Sequence, residues 1–241
     1  MPGDSAHMAQ YGPLHLIPVP LAEGGRWLGS ELEELVGTIK HWVVETPKTA
    51  RAQLRAINPQ IDLPSLELSS WSKHGSNEAL TLLQPCLSGN PMGLISDAGA
   101  PGMADPGAEV VAKAHQLGIT VVSWPGPSSF LLGLMSSGLN GQRFRFHGYL
   151  PHDASLRREQ LSRMERDANQ ESQWFIETPY RNAKLFAELL QFLAPITKVY
   201  VGFNLTASQE WSCTKTVGEW SATPLPPQLE AKAPAIWAIG R

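Results

Sequence analysis

The chain has 241 residues, 42% hydrophobic and 17% charged, enough apolar material for one large domain or two modest ones and too little charge for a disordered chain. A formal net charge of -3 argues against wholesale electrostatic capture of nucleic acid, while leaving room for a local basic patch. Cys86 and Cys213 supply neither a framework of bridges nor metal-ligand spacing, and no apolar run approaches the ~18 residues of a membrane span. A cytoplasmic protein with two reduced thiols, no metal and no membrane anchor is therefore expected.

Met1 to Gln10 lacks the basic-then-apolar order of a signal peptide and reads as a frayed terminus, with Met8 as an alternative start. Leu14 to Val19 is a short apolar run ended by Pro20, which predicts a buried strand leaving into a loop with Gly24 and Gly25. Leu28, Leu32, Leu35 and Ile39 have helical spacing. His41 to Val44 predicts a second strand, Lys48 to Ile57 a helix, and Asn58 to Ser76 mostly connection.

Asn77 to Leu87 predicts a further helix. Gly93 to Ser96 is a strand running into Asp97-Ala98-Gly99-Ala100-Pro101-Gly102. Asp105 suits a helix cap, with Pro106 at the first helical position and Gly118 at the end. Ile119 to Trp124 predicts a strand, Pro125-Gly126-Pro127 a turn, and Ser128 to Ser137 a helix of small residues. Alternating strands and helices mean an α/β domain with a mostly parallel sheet, and Arg143 to Leu150 reads as a strand leaving it.

The second half has a different texture. Ser155 to Ala168 predicts a polar helix carrying Arg157, Arg158, Arg163 and Arg166. Trp174 to Glu177 is a strand, Thr178-Pro179 caps a helix from Tyr180 to Leu193, and strands follow at Thr197 to Phe203 and Ala235 to Gly240. A boundary near Pro151 divides the chain into α/β domains at 14–150 and 151–241.

The strongest chemical signal is the Ser96–Gly102 loop. Ligands of open parallel sheets sit at the carboxyl ends of strands, glycines permit close backbone approach, and Asp97 can accept from an ammonium or a ribose hydroxyl. The bland alternative is a tight turn in which Asp97 bonds its own backbone. The Pro125–Pro127 turn with Ser128 and Ser129, taken as lying on a neighbouring strand, repeats the arrangement. Pro18-Val19-Pro20-Leu21-Ala22 is a third candidate. Other chemistries fail. No Gly-x-Gly-x-x-Gly follows a strand, no Gly-x-Ser-x-Gly or Walker pattern occurs, and no histidine pair has metal-ligand spacing. His74 and His147 read as surface or structural residues.

Taken in order, these loops resemble the tetrapyrrole methylase superfamily, and within it most the small-subunit ribosomal RNA methyltransferase I family, which methylates a cytidine ribose 2′-hydroxyl. Gly93 to Pro151 carries the resemblance: the run from Gly93 through the Asp97 loop to Gly107, then Gly118 to Ser129, then Arg143 to Pro151. The resemblance implies two α/β domains, a homodimer, and S-adenosylmethionine held in the cleft between the domains. Carried over, Ser96, Asp97, Ala98 and Gly99 would lie against the cofactor, Met103 would pack near it, Ser128 and Ser129 would meet its polar groups, and Pro20 would line the floor. Ile176 and Glu177 would close the other side.

The departures fall on the acceptor side. The family's Thr-Pro-x-Gly-Asn is Val19-Pro20-Leu21-Ala22-Glu23 here, and its Glu-Asp-Thr-Arg is Glu45-Thr46-Pro47-Lys48. Its Arg-Glu-Leu-Thr-Lys is Phe203-Asn204-Leu205-Thr206-Ala207, without the cations and the acid. The extra carboxyl-terminal segment of the ribosomal RNA enzymes does not follow Arg241. Methyl transfer from a sulfonium asks mainly for positioning and a dry cleft, and a hydroxyl acceptor must also lose a proton, for which Glu45 and Glu177 are the candidates. The leading expectation is an RNA ribose methyltransferase, in which the arginines of the 155–168 helix would meet phosphates. The alternatives are a methyltransferase acting on a tetrapyrrole or other small molecule, and a non-catalytic S-adenosylmethionine- or RNA-binding protein.

Overall fold

The computed structural model describes residues 11–22, 30–71, 76–105 and 107–241, with backbone alone at 76–78. The expectations at Met1 to Gln10, Glu23, Gly24, Gly25, Leu28, His74 and Pro106 lie outside these residues. The described chain forms two α/β units, the first ending at Pro127 and the second beginning at Ser128. This division precedes the expected Pro151, because the strand at Arg143 to Leu150 does not leave the first sheet. It opens the second.

The first unit is built on a parallel five-stranded sheet: β1 (Leu14–Leu16), β2 (His41–Val44), β3 (Glu67–Ser70), β4 (Met92–Ile95) and β5 (Val121–Ser123), in the order β3-β2-β4-β1-β5. Strand β4 is buried throughout, as a central parallel strand must be when helices cover both faces. On one face Ile17, Trp42, Val44 and Ile95 pack with α1 (Ser30–Thr38) and α2 (Pro47–Ile57). On the other, Val43, Met92 and Leu94 pack with α3 (Ser76–Leu82), α4 (Gln84–Leu87) and α5 (Gly107–Gln116). Gly93 lets this happen, since a Cβ there would come within 2.2 Å of the Trp42 ring.

Two expectations are corrected here and one is completed. Asn58 to Ser76, expected to be mostly connection, also contains a strand, β3, which pairs in parallel with β2 from His41 opposite Glu67 to Val44 opposite Ser70. As an edge strand with mostly exposed side chains, β3 lacks the apolar run that marks a buried one. The helix expected over Asn77 to Leu87 is two pieces, and α4 starts anew with Pro85 in its first turn. The strands preceding the Asp97 and Pro125 loops are not neighbours, since β1 lies between β4 and β5.

The second unit holds a mixed sheet of β6 (Phe144–Tyr149), β7 (Ser172–Glu177), β8 (Lys198–Phe203), β9 (Trp211–Thr216) and β10 (Ala235–Gly240), in the order β6-β7-β10-β8-β9. Only β6 and β7 run parallel. Helix α6 (Ser129–Ser137) covers one face, over Trp174, Tyr200 and Ile236. Helices α7 (Ala154–Asp167), α8 (Asn182–Phe192) and α9 (Val217–Ser221) cover the other, over Phe175, Val201 and Trp237. Asp153 caps α7, its Oδ1 accepting from the Ser155 and Leu156 amides at 2.9 Å.

Candidate active site

Sheet topology singles out one place in the first unit. The chain leaves β2 toward β3 on one side, while β4 leads toward β5 on the other, so the loops after β2 and β4 diverge. Such a switch point is where open α/β sheets bind ligands. The carboxyl ends of β2 and β4 deliver Glu45 and the Ser96-Asp97 pair there. They border a small hollow lined by Val44, Glu45, Trp71, Ile95, Ser96 and Asp105.

Hydrogen bonds lock these two loops together. Asp97 Oδ2 accepts from Thr46 Oγ1 at 2.8 Å and Oδ1 from the Thr46 amide at 3.2 Å. In return Glu45 Oε2 accepts from the Asp97 amide at 3.2 Å. Gln53, on α2, donates to the carbonyls of Asp97 at 3.0 Å and Pro20 at 3.4 Å, joining the first loop to the other two. Gly99 and Val19 exchange amide bonds of 2.9 and 3.1 Å as an isolated antiparallel bridge. Ser96, 6% exposed, donates to the Ala98 carbonyl.

The rest of the loop is held in unusual backbone geometry. Gly102 has φ +85°, and Ala104 sits at φ +60°, a left-handed conformation that costs a side-chain-bearing residue energy. The Asp105 carboxylate holds it there, accepting from the Gly102 amide at 2.8 Å and from the Gly107 amide at 2.7 Å. Strain held in place by a dedicated clamp, next to a ligand crevice, fits a loop shaped for function. Its outer surface is open: Ala98 and Gly102 are exposed and Met103 is 40% exposed. The buried Trp71 indole N–H, beside the hollow, has no hydrogen-bond partner among the described residues.

The first-unit candidates Pro20, Glu45, Ser96, Asp97, Ala98 and Gly99 are thus brought together, with Met103 further along the same loop. Thr46 and Gln53, which join these loops, are the candidate-site residues that sequence reasoning missed. A Thr-Pro pair at a helix start was the available signal for Thr46, and nothing local marks Gln53.

The second unit carries the remaining candidates. Ser128 and Ser129 are half-buried at the start of α6, where Ser128 makes no side-chain capping bond to the helix. Ile176 lies on β7 opposite Ile236. Glu177 is buried at the end of that strand, Oε1 accepting from the Thr178 amide at 2.7 Å. Its Oε2 lies 3.1 Å from Arg181 Nη2, an ion-pair contact outside hydrogen-bond geometry.

Of the cationic cluster expected on α7, Arg158, Arg163 and Arg166 are exposed and Arg157 is not. Arg157 is 2% exposed and makes a bidentate pair with Glu188 at 2.6 and 2.7 Å, while also donating to the carbonyls of Pro151 and His152. Arg158 lies over the Phe192 ring at 4.8 Å, and Arg163 pairs with Glu159. Arg157 falls on the same helical stripe as Leu161 and Met164, the buried face of α7, but nothing local marks Glu188 as its partner.

Comparison with known proteins bears on what this architecture does. The chain is 30% identical over 202 residues to the ribosomal RNA small subunit methyltransferase I of Xylella fastidiosa, across 83% of this chain and 70% of that one. It belongs to the ribosomal RNA small subunit methyltransferase I family. No protein-family profile matches the chain. Among solved structures it is similar in fold to the methyltransferase CobJ, with a TM-score of 0.63 and 14% identity, covering 95% of this chain and 94% of that one. It is also similar to the uroporphyrin-III C-methyltransferase of Thermus thermophilus complexed with S-adenosylhomocysteine. That match has a TM-score of 0.53 and 16% identity, covering 95% and 98% of the two chains. This family member is therefore an S-adenosylmethionine-dependent methyltransferase with the tetrapyrrole methylase fold. The Asp97 loop suits such a donor: two fixed carboxylates accept from ammonium or hydroxyl groups, and exposed Ala98 and Met103 offer apolar contact. Among the described residues no helix is long and apolar enough to cross a membrane.

Proposed function

We propose that this protein transfers a methyl group from S-adenosylmethionine to a ribose 2′-hydroxyl of small-subunit ribosomal RNA. The observation that carries this reading is the Asp97 loop, clamped to the start of α2 at the β2/β4 switch point, in a chain of that family. Ser96, Asp97, Ala98, Gly99, Met103 and Pro20 hold the donor. When bound, the donor supplies a methyl already activated on a sulfonium. What remains for the protein is to place the acceptor oxygen in line and take its proton.

Of the two candidate bases, Glu45 fits better. It is exposed, and among the described residues its carboxylate accepts one bond, from the Asp97 amide at 3.2 Å. Glu177 is buried, with Oε1 taken by the Thr178 amide and Oε2 held 3.1 Å from Arg181. It is better suited to holding Arg181. An enzyme of this kind works in the cytoplasm, and as a homodimer.

A second reading has one specific observation behind it. Phe203-Asn204-Leu205-Thr206-Ala207 carries no cation, and its Thr206 amide is bonded to Glu210 at 2.7 Å, so this turn is no phosphate contact. A small-molecule acceptor would suit such a surface. The deciding experiment uses purified protein, methyl-labelled donor and a cell extract. RNA as acceptor means label that nuclease pretreatment of the extract removes, and that resists alkaline cleavage at the modified nucleotide. Label in a low-mass fraction that survives nuclease treatment would replace RNA with the small molecule.

A further inference from the structure

Helix α2 begins at the Asp97–Thr46 clamp and carries three exposed cations, Lys48, Arg51 and Arg55. Spacings of three and four residues place them in one row of about 10 Å, since a helix rises about 1.5 Å per residue. The row turns away from the buried Ala50, Leu54 and Ile57. Among the described residues no carboxylate lies within 4.0 Å of any of the three, although the chain as a whole is acidic.

Local energetics do not favour this row. The first turn of α2 contains no acid and instead places Lys48 at the positive end of the helix dipole. Like charges four residues apart, as at Arg51 and Arg55, repel. Only the Arg51 guanidinium finds a partner, a 3.4 Å bond to the Pro47 carbonyl. An external anion would offset both costs. On α7, by contrast, Arg157 pairs with Glu188, Arg163 with Glu159 and Arg158 lies over Phe192, while Arg166 is exposed with no carboxylate within 4.0 Å among the described residues.

We propose that Lys48, Arg51 and Arg55 form a phosphate-binding ridge that leads the RNA backbone into the candidate active site. This rests on the RNA reading above and adds where the strand runs. Backbone phosphates meet a row of cations without sequence preference, fixing register while the site itself selects the ribose. The row therefore governs affinity for RNA and its salt dependence, and leaves donor binding alone.

The test compares wild type with Lys48→Ala/Arg51→Ala/Arg55→Ala and with Arg158→Ala/Arg166→Ala, using deproteinised small-subunit ribosomal RNA as probe. All three positions of the ridge are exposed, and circular dichroism checks that α2 persists. The ridge variant should raise the RNA KM roughly 10-fold or more and flatten the salt slope by up to about 2, at about 0.7 per phosphate contact for a single strand. Its affinity for S-adenosylhomocysteine should match wild type, and the α7 variant should keep the wild-type slope. An unchanged slope in the ridge variant, or a flattened one in the α7 variant alone, overturns the ridge while the RNA reading stands. A ridge variant that loses wild-type oligomeric mass in light scattering would make the row a self-association surface instead. Wild type that binds no RNA at low salt overturns both.

Discussion

At the scale of single residues, Asp97 does more inside the protein than its position in a loop suggests. Its carboxylate receives both the amide and the hydroxyl of Thr46, which leaves fewer lone pairs for a ligand but fixes where the remaining ones point. Asp97→Ala removes the carboxylate and the clamp together. Charge-assisted bonds of this kind contribute about 1.5–3 kcal/mol each, so affinity for S-adenosylhomocysteine should fall by at least ~10-fold. Thr46→Val keeps the carboxylate and its bond from the Thr46 amide, loses only the hydroxyl bond, and should weaken binding less. Calorimetric titration of both variants checks this, and equal affinity in Asp97→Ala and wild type would remove Asp97 from the donor site. The loop itself was legible in the sequence from Gly99, Gly102 and Asp105. Thr46 and Gln53 were not, because their partners lie 51 and 44 residues away along the chain.

Among elements, α7 shows how a helix can look functional and be structural. Its first turn buries Arg157 in a fork with Glu188 of α8, and the same guanidinium satisfies the carbonyls of Pro151 and His152. Arg157→Met would strand Glu188, whose side chain is 14% exposed, at a cost of about 3–5 kcal/mol. In a protein of this size that lowers Tm by on the order of 10 °C. Arg157→Met with Glu188→Leu should regain most of the loss, because the uncompensated charge is then gone. Thermal unfolding of the two variants decides the matter, and equal Tm values would mean the pair is not a coupled unit. Strands β2 and β10 were readable residue by residue because their apolar runs are buried on both faces. Edge strands β3 and β9 were missed, since mixed burial gives neither an apolar run nor a clean alternation.

Across the whole molecule, exposed apolar side chains point to assembly. Leu131 and Met135 lie one turn apart on α6 at 51% and 74% exposure, and Phe144 at 43% joins them through its ring contact with Phe130. An exposed apolar patch of this kind is a binding surface more often than bare solvent contact. Light scattering at micromolar concentration should return the mass of two chains, and Met135→Glu should shift it toward one. A wild-type mass of one chain would rule out the homodimer.

The sequence by itself determined the α/β class, the buried strands and the loop proposed for the donor. Each of those depends on local constraints: burial on both faces, glycine at positive φ, an acid at a helix start. The tertiary structure decided the rest. Pairing of β6 with β7 moved the division between units to Pro127–Ser128, and the strand order placed the diverging loops after β2 and β4 rather than after β4 and β5. Arg157 turned inward and the α2 cations outward because partners distant in sequence supplied a carboxylate to one and none to the others. Which carboxylate meets a buried cation depends on contacts across the fold, and no local pattern encodes them.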